Sequence, residues 1–203
     1  TPLPFSVAAA LRYKNQAQFH PLKFLYAISQ GLHIYENTQI IEISKHKGTY
    51  TATFSGGKIS ARKIIVATHF PFMNKYGGYF IKMYQHRSYI IALENAPNFN
   101  GMYVDEDKKG MTFRNYKDLL FVGGGGHRTG KSGGNWAELE KFSRKYFPQA
   151  QVKYRWAAQD CMSLDKVAYI GNYSSHTPNW YVASGFNKWG MTTSNVAANI
   201  ICD

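Results

Sequence analysis

The chain has 203 residues, 44% of them hydrophobic and 18% charged, a length that supports one substantial core or two smaller ones without disulfides or metal. No apolar run approaches the roughly 18 residues of a membrane span and no basic-then-apolar leader opens the chain, so a membrane protein is not expected and a cytoplasmic setting is. The 24 Lys and Arg against 12 Asp and Glu give a net charge of +12, which suits an anionic partner such as nucleic acid, lipid or a phosphorylated ligand, and equally suits solubility alone.

The first periodic stretch is residues 16–30, QAQFHPLKFLYAISQ. There Phe19, Leu22, Leu25, Tyr26 and Ile28 recur at helical spacing, with Pro21 in the first turn and Gly31 as the stop. Short β-branched runs follow at residues 32–44, 49–54 and 58–68, separated by the turn-forming KHKG and SGGK. From Tyr84 to Val122 strands dominate, at residues 84–94, 101–104, 111–116 and 119–122, so a mixed or antiparallel sheet is expected. A helix is predicted over residues 135–147, strands over 152–159, 167–171 and 180–185, and a last helix behind the glycine-bounded GFNKWG at residues 185–190. Cys161 and Cys202 are far apart and outside any CxxC spacing, and none of the seven histidines pairs with a second ligand, so reduced thiols and no metal site are expected.

One literal motif stands out. Gly125, Gly130, Lys131 and Ser132 satisfy GxxxxGK[ST] between a strand and a helix, the pattern of a phosphate-binding loop. In such a loop the helix starts at the Lys-Ser pair and aims its terminus at the phosphates. Here Gly133 and Gly134 fill that turn, each costing about 1 kcal/mol relative to Ala in a helix. A flexible glycine loop is the competing reading, and P-loop nucleotide hydrolysis stays an alternative function. A basic nucleic-acid-binding module is another, since 16% of the residues are aromatic, although the aromatics sit mostly inside strand runs.

Taken in order, QAQFHPLKFL, IIVATHFPF, MTFRNYKDLLFVGGGGHRTG, RWAAQD, DKVAYIG and YVASGFNKWGMTTS resemble FAD-dependent oxidoreductases of the D-amino-acid oxidase type, the group of glycine and sarcosine oxidases. The likeness is nearest to a bacterial branch that often carries a Rieske iron-sulfur domain after the flavin part. It implies an α/β (α+β) fold in which a partial FAD-binding domain, residues 1–82 and 165–203, packs on a largely antiparallel substrate domain with flanking helices, residues 83–164. It also implies that the chain is a middle-to-late piece of a longer flavoprotein, because the family's opening GxGxxG unit is absent from these residues. Such a piece is not expected to retain FAD alone, and a Rieske [2Fe-2S] centre would belong to a further C-terminal domain.

The resemblance also implies site residues. Ile40, Ala67 and Thr68 would give the cofactor backbone contacts, with His69 standing where the family has glycine. Gly185, Lys188, Trp189, Gly190, Met191 and Thr192 would form the wall facing the flavin ring, whose reduced form gathers negative charge that a helix start and a lysine stabilise. Arg114 would grip the carboxylate of a small amine or amino-acid substrate, with Asn115 replacing the usual proline, and Tyr89 would line the substrate site beside Tyr84 and His86. In the segment 165–171, Asp165 and Gly171 match the family pattern, while Ala168 replaces a proline. No catalytic base is assigned, since the cofactor carries the difficult chemistry and the pocket supplies orientation.

Overall fold

The computed structural model describes residues 1–46, 48–107 and 110–203, which form two compact units divided after Ala61. In the first unit, helix α1 spans Pro21–Ile28 and is shorter than the periodicity predicts. Proline without an N–H fits the first helical turn and forces the preceding residue out of helical geometry. His20 is accordingly extended, at φ −91 and ψ 104, and its ring Nδ1 accepts the Lys23 N–H at 3.4 Å as the cap.

Strands β1 (Ile40–His46), β2 (Thr49–Phe54) and β3 (Gly57–Ala61) form an antiparallel meander with β2 in the middle. The run expected to start at Leu32 becomes strand only at Ile40, because Glu36 and Asn37 form a turn with Asn37 left-handed at φ 53. Of the expected KHKG turn, Lys47 lies outside the described residues.

The single strand predicted over 58–68 is two. Arg62 and Lys63 end β3, and strand β4 (Ile64–Val66) joins another sheet in the second unit. There a short helix α2 (Tyr79–Lys82), invisible to a 3.6-residue period at that length, leads into β5 (Met83–Glu94). Strands β6 (Met102–Val104), β7 (Thr112–Tyr116), β8 (Leu119–Arg128) and, after helix α3 (Trp136–Tyr146), β9 (Gln151–Ser163) complete a five-stranded antiparallel sheet in the order β6-β7-β8-β5-β9. Then β10 (Tyr169–Asn172) and β11 (Trp180–Ser184) form a second sheet, β10-β11-β4, and helix α4 (Gly190–Cys202) ends the chain. The β11–β4 pair is parallel, with Trp180 opposite Ile64 and Val182 opposite Val66. The mixed α/β class expected from the sequence is the one observed.

The core of the second unit follows from strand alternation. Ile91, Leu93, Leu120 and Val122 are fully buried on the face of the large sheet that carries α3, whose Leu139 is fully buried as well. A second cluster lies under the small sheet. Tyr173 stacks on Trp180 with centroids 4.9 Å apart, donates its hydroxyl to the Met73 carbonyl at 2.9 Å, and has its pKa pushed up to about 12, chiefly by burial.

Leu139 is the apolar anchor of α3. Leu139→Ala is expected to destabilise the protein by about 2–5 kcal/mol, seen as a lower midpoint in urea unfolding followed by circular dichroism.

Candidate functional site: two strand ends and one face of the large sheet

The parallel pairing of β4 and β11 brings their carboxyl ends side by side, the position at which open α/β sheets bind ligands. Ala67 and Thr68 leave β4 exposed to solvent. His69 is left-handed at φ 65, which is the backbone conformation that favours the glycine this position has in the family the sequence resembles. Its carbonyl accepts a hydrogen bond from the Ser184 hydroxyl, tying the β4 exit to the end of β11.

From β11 the chain turns at Gly185, whose φ of 69 favours glycine and where a Cβ would stand tight against the Met83 sulfur at 3.2 Å. Asn187, left-handed at φ 50, clamps the loop. Its Oδ1 accepts the Ser163 N–H at 3.2 Å, its Nδ2 donates to the Gly185 carbonyl at 3.0 Å and the Lys166 carbonyl at 3.3 Å, and its own N–H donates to the Cys161 carbonyl at 3.0 Å. Trp189 and Met191 are exposed, and a Cβ at Gly190 would meet nothing within 4 Å. Neither Asn187 nor Thr192 caps α4. The residue before it, Trp189, makes no side-chain capping bond, which leaves the amides of Gly190, Met191 and Thr192 pointing out of the helix start.

Lys188 joins this loop to the large sheet. Its ammonium lies 2.6 Å from Asp160 Oδ2 and 3.0 Å from the Ser88 hydroxyl. Register places Ser88 opposite Ala158 and His86 opposite Asp160, so these groups share the sheet face away from α3. His86 on the same face has an Nδ1 with no hydrogen-bond partner among the described residues and a pKa held below the ordinary 6.5, first by burial and then by the Lys188 charge.

Two residues beyond Ser88 along β5, Ile90 reaches a pocket of about 270 Å3 lined also by Met102, Val104, Thr112, Arg114 and Phe121. The Arg114 guanidinium sits 5.5 Å from the Phe121 ring centre and has no ion-pair partner among the described residues. Asn115 holds the adjoining loop, donating to the Pro97 carbonyl at 3.1 Å and accepting the Phe99 N–H at 3.0 Å.

Tyr89 is not part of this group. Alternation puts it on the α3 side of β5, where its hydroxyl meets His127 Nε2 at 2.9 Å and its ring packs edge-on to Trp136 at 5.0 Å. Ile40 opens β1 in the first unit, opposite Phe54. Asp165 forms a local turn, accepting the Val167 N–H at 3.1 Å, and Gly171 lies in β10 at φ 122. The phosphate-loop reading is corrected, and the glycine-rich loop is confined to residues 129–135. Gly123 to Gly126 belong to β8, and α3 starts only at Trp136, capped by Asn135, so no helix start faces Lys131 and Ser132. Sequence reasoning missed Ser88 and Asp160, whose roles depend on cross-strand pairing with no local signature.

Because the folded state favours the neutral His86 ring, the unfolded chain binds that proton more tightly. The stability this contributes is present above pH 6.5 and is lost as the pH falls below it. The His86 ring is expected to titrate below 6.5 by NMR, and Lys188→Met is expected to move its midpoint upward by removing the neighbouring positive charge.

The profile of the FAD dependent oxidoreductase family, DAO, matches residues 1–203. A curated Bacillus subtilis relative, named provisionally as the Rieske 2Fe-2S iron-sulfur protein YhfW, is 35% identical over 215 aligned residues, which is 100% of this chain and 42% of the relative. Among solved structures, glycine oxidase from Geobacillus kaustophilus superposes with a TM-score of 0.72 at 17% identity, covering 87% of this chain and 50% of its own. L-amino acid deaminase from Proteus vulgaris gives 0.65 at 17% identity, covering 88% and 48%. L-proline dehydrogenase from P. horikoshii gives 0.64 at 15% identity, covering 86% and 50%. The chain thus spans about half the length of the proteins it matches. Fold, strand-end geometry and a family match along the whole length agree: the chain belongs to the DAO family of FAD-dependent oxidoreductases.

Proposed function

We propose that the chain is the substrate-facing part of an FAD-dependent oxidoreductase that oxidises the C–N bond of an amine or amino acid. The observation that carries this is the convergence of the β4 and β11 exits, the uncapped start of α4 and the Lys188-bearing face of the large sheet. The residues present fit a flavin: Gly190 leaves open space where a Cβ would stand, and three free amides and a lysine are available to an anionic ring edge. Ala67, Thr68, Gly185 and Lys188 to Thr192 would hold the cofactor. Residues 1–82 with 165–203 would serve the cofactor, and residues 83–164 the substrate.

The chemistry FAD supplies when bound is acceptance of a hydride from the carbon that bears the amine. The chain's own part is orientation. Arg114 holds a carboxylate through its planar fork, and the apolar walls exclude water from the substrate's body. Asp160 and Ser88 keep the Lys188 ammonium over the sheet face. A Rieske [2Fe-2S] domain, as the name of the Bacillus relative indicates for that protein, would lie in a longer polypeptide than this one and would take the electrons onward. The location is proposed to be cytoplasmic; no helix among the described residues is long and apolar enough to cross a membrane.

The longest natural polypeptide that carries this chain is expected to purify with flavin absorbance near about 450 nm, while residues 1–203 alone are expected to lose the flavin on gel filtration. Colourless longer protein that no added FAD restores would sink the reading. In the loaded protein, Lys188→Met is expected to slow flavin reduction by an amine about tenfold or more, measured by stopped-flow absorbance.

A further inference from the structure

We propose that Arg87 is the centre of a binding site for a small oxyanion, the phosphate or carboxylate group of a soluble ligand. The site lies on the α3 face of the large sheet, the reverse of the face that carries Lys188, and it does not depend on the function proposed above.

Cross-strand pairing assembles the surroundings. Arg87 of β5 stands directly opposite His127 of β8 and Gln159 of β9, so the three side chains share one face. Tyr89, two residues on, lies on that face too, with the Arg87 guanidinium 5.8 Å from its ring centre. Trp136 of α3 closes the far side of Tyr89, its ring centre 5.0 Å away. Thr129 donates its hydroxyl to Gln159 Oε1 at 2.7 Å, and a Cβ at Gly133 would stand 2.5 Å from His127 Cβ. The loop after β8 is thereby drawn over this end of the sheet.

The acceptors around Arg87 are engaged elsewhere. His127 Nδ1 lies 3.0 Å from the Arg128 carbonyl, which can only accept, so the proton sits on Nδ1 and Nε2 takes the Tyr89 hydroxyl at 2.9 Å. Gln159 Oε1 takes Thr129. No acidic side chain among the described residues pairs with Arg87, whereas Arg155, on the same face of β9, has Glu140 at 3.4 Å.

The guanidinium is therefore held by packing and left without a counter-ion. Arg87 Nε is sealed from solvent and has no hydrogen-bond partner among the described residues, while the side chain as a whole is half-buried, so its terminal nitrogens are the part left open. Those two nitrogens form a planar fork that grips two oxygens of one oxyanion end-on. A cation half out of water with no partner is costly, and an oxyanion supplies the acceptors that the fold withholds. The Gln159 amide nitrogen, which donates to nothing among the described residues, is a neutral donor beside the fork.

The test is isothermal titration calorimetry on the longest natural polypeptide carrying the chain, with sodium phosphate, acetate and chloride as probes at constant ionic strength. Phosphate or acetate is expected to bind saturably and at least about tenfold more tightly than chloride, and the tighter of the two tells a phosphate ligand from a carboxylate one. Arg87→Gln is expected to weaken that binding at least about tenfold. Arg87→Lys, which keeps the charge and loses the fork, is expected to fall between. Arg12→Gln removes the same charge from an exposed position of the first unit and is expected to leave binding unchanged. No oxyanion binding above that of chloride, binding unchanged in Arg87→Gln, or equal weakening in Arg12→Gln and Arg87→Gln overturns the inference. Should Arg87→Gln fail to fold, Arg87→Lys decides alone: binding as tight as in the unsubstituted protein overturns the inference, and a loss of several-fold upholds it.

Discussion

Three residue pairs of a parallel ladder hold the candidate site together. Val66 ends β4 against Val182 of β11, and two residues beyond Val182 the Ser184 hydroxyl reaches the carbonyl of His69, 115 positions away in sequence. A parallel pair cannot be closed by a hairpin and needs a long crossover. Here the crossover contains the whole five-stranded sheet, which emerges from the β4 end and returns through β10 to pair with β11. The result is one place where two strand ends, a helix start and a face of the large sheet meet, and every cofactor-facing residue proposed in the second unit lies there. Without that ladder the individual pieces would be an ordinary turn, an ordinary helix start and an ordinary surface lysine.

The Lys188–Asp160 pair shows what the site asks of its polar groups. Both side chains are partly exposed, at 47% and 34%, so the pair contributes only about 0–1 kcal/mol to stability. Its consequence is positional. A free lysine samples many rotamers, and fixing it against Asp160 and Ser88 sets its charge at one point above the sheet. The Asn187 bonds to Ser163, Lys166 and Gly185 do the same for the backbone that carries it. The loop is thus fastened from both ends to β9, while Trp189, Gly190 and Met191 remain exposed beyond the fastening.

Much of this was legible in the sequence where the signal is local. The helix of residues 190–202, the long strand of residues 83–94, the first four residues of β8 and the glycine turn at Gly185 follow from period, β-branched content and turn chemistry. What the sequence did not show is pairing. The run 58–68 reads as one strand, yet its halves serve different sheets in different units, because hydrophobic alternation does not say which neighbour a strand will find. Tyr89 and Ile90 are adjacent letters of one apolar strand, and only the position of α3 decides that Ile90 faces the pocket and Tyr89 the packed side. Ser88 and Asp160 were silent for the same reason.

The glycine run is the strongest case of one pattern with two physical meanings. A phosphate-binding loop needs glycines so that backbone amides can wrap an anion. In β8 they are needed because neighbours press from both faces. A Cβ at Gly124 would stand 3.2 Å from Leu139 on the α3 side, and one at Gly126 would stand 2.7 Å from the His86 ring on the other. Gly125 at φ 60 accommodates one extra residue opposite the Arg87–Tyr89 segment of β5, a bulge that shifts register beyond it. Up to the bulge, β8 carries Phe121 and Gly123 into the pocket; past it, Arg128 lies over Tyr84 at 4.9 Å. Glycine therefore acts in this chain by withholding side chains. It lets His86 sit close under the sheet face beside Lys188 and keeps the floor below Arg114 open.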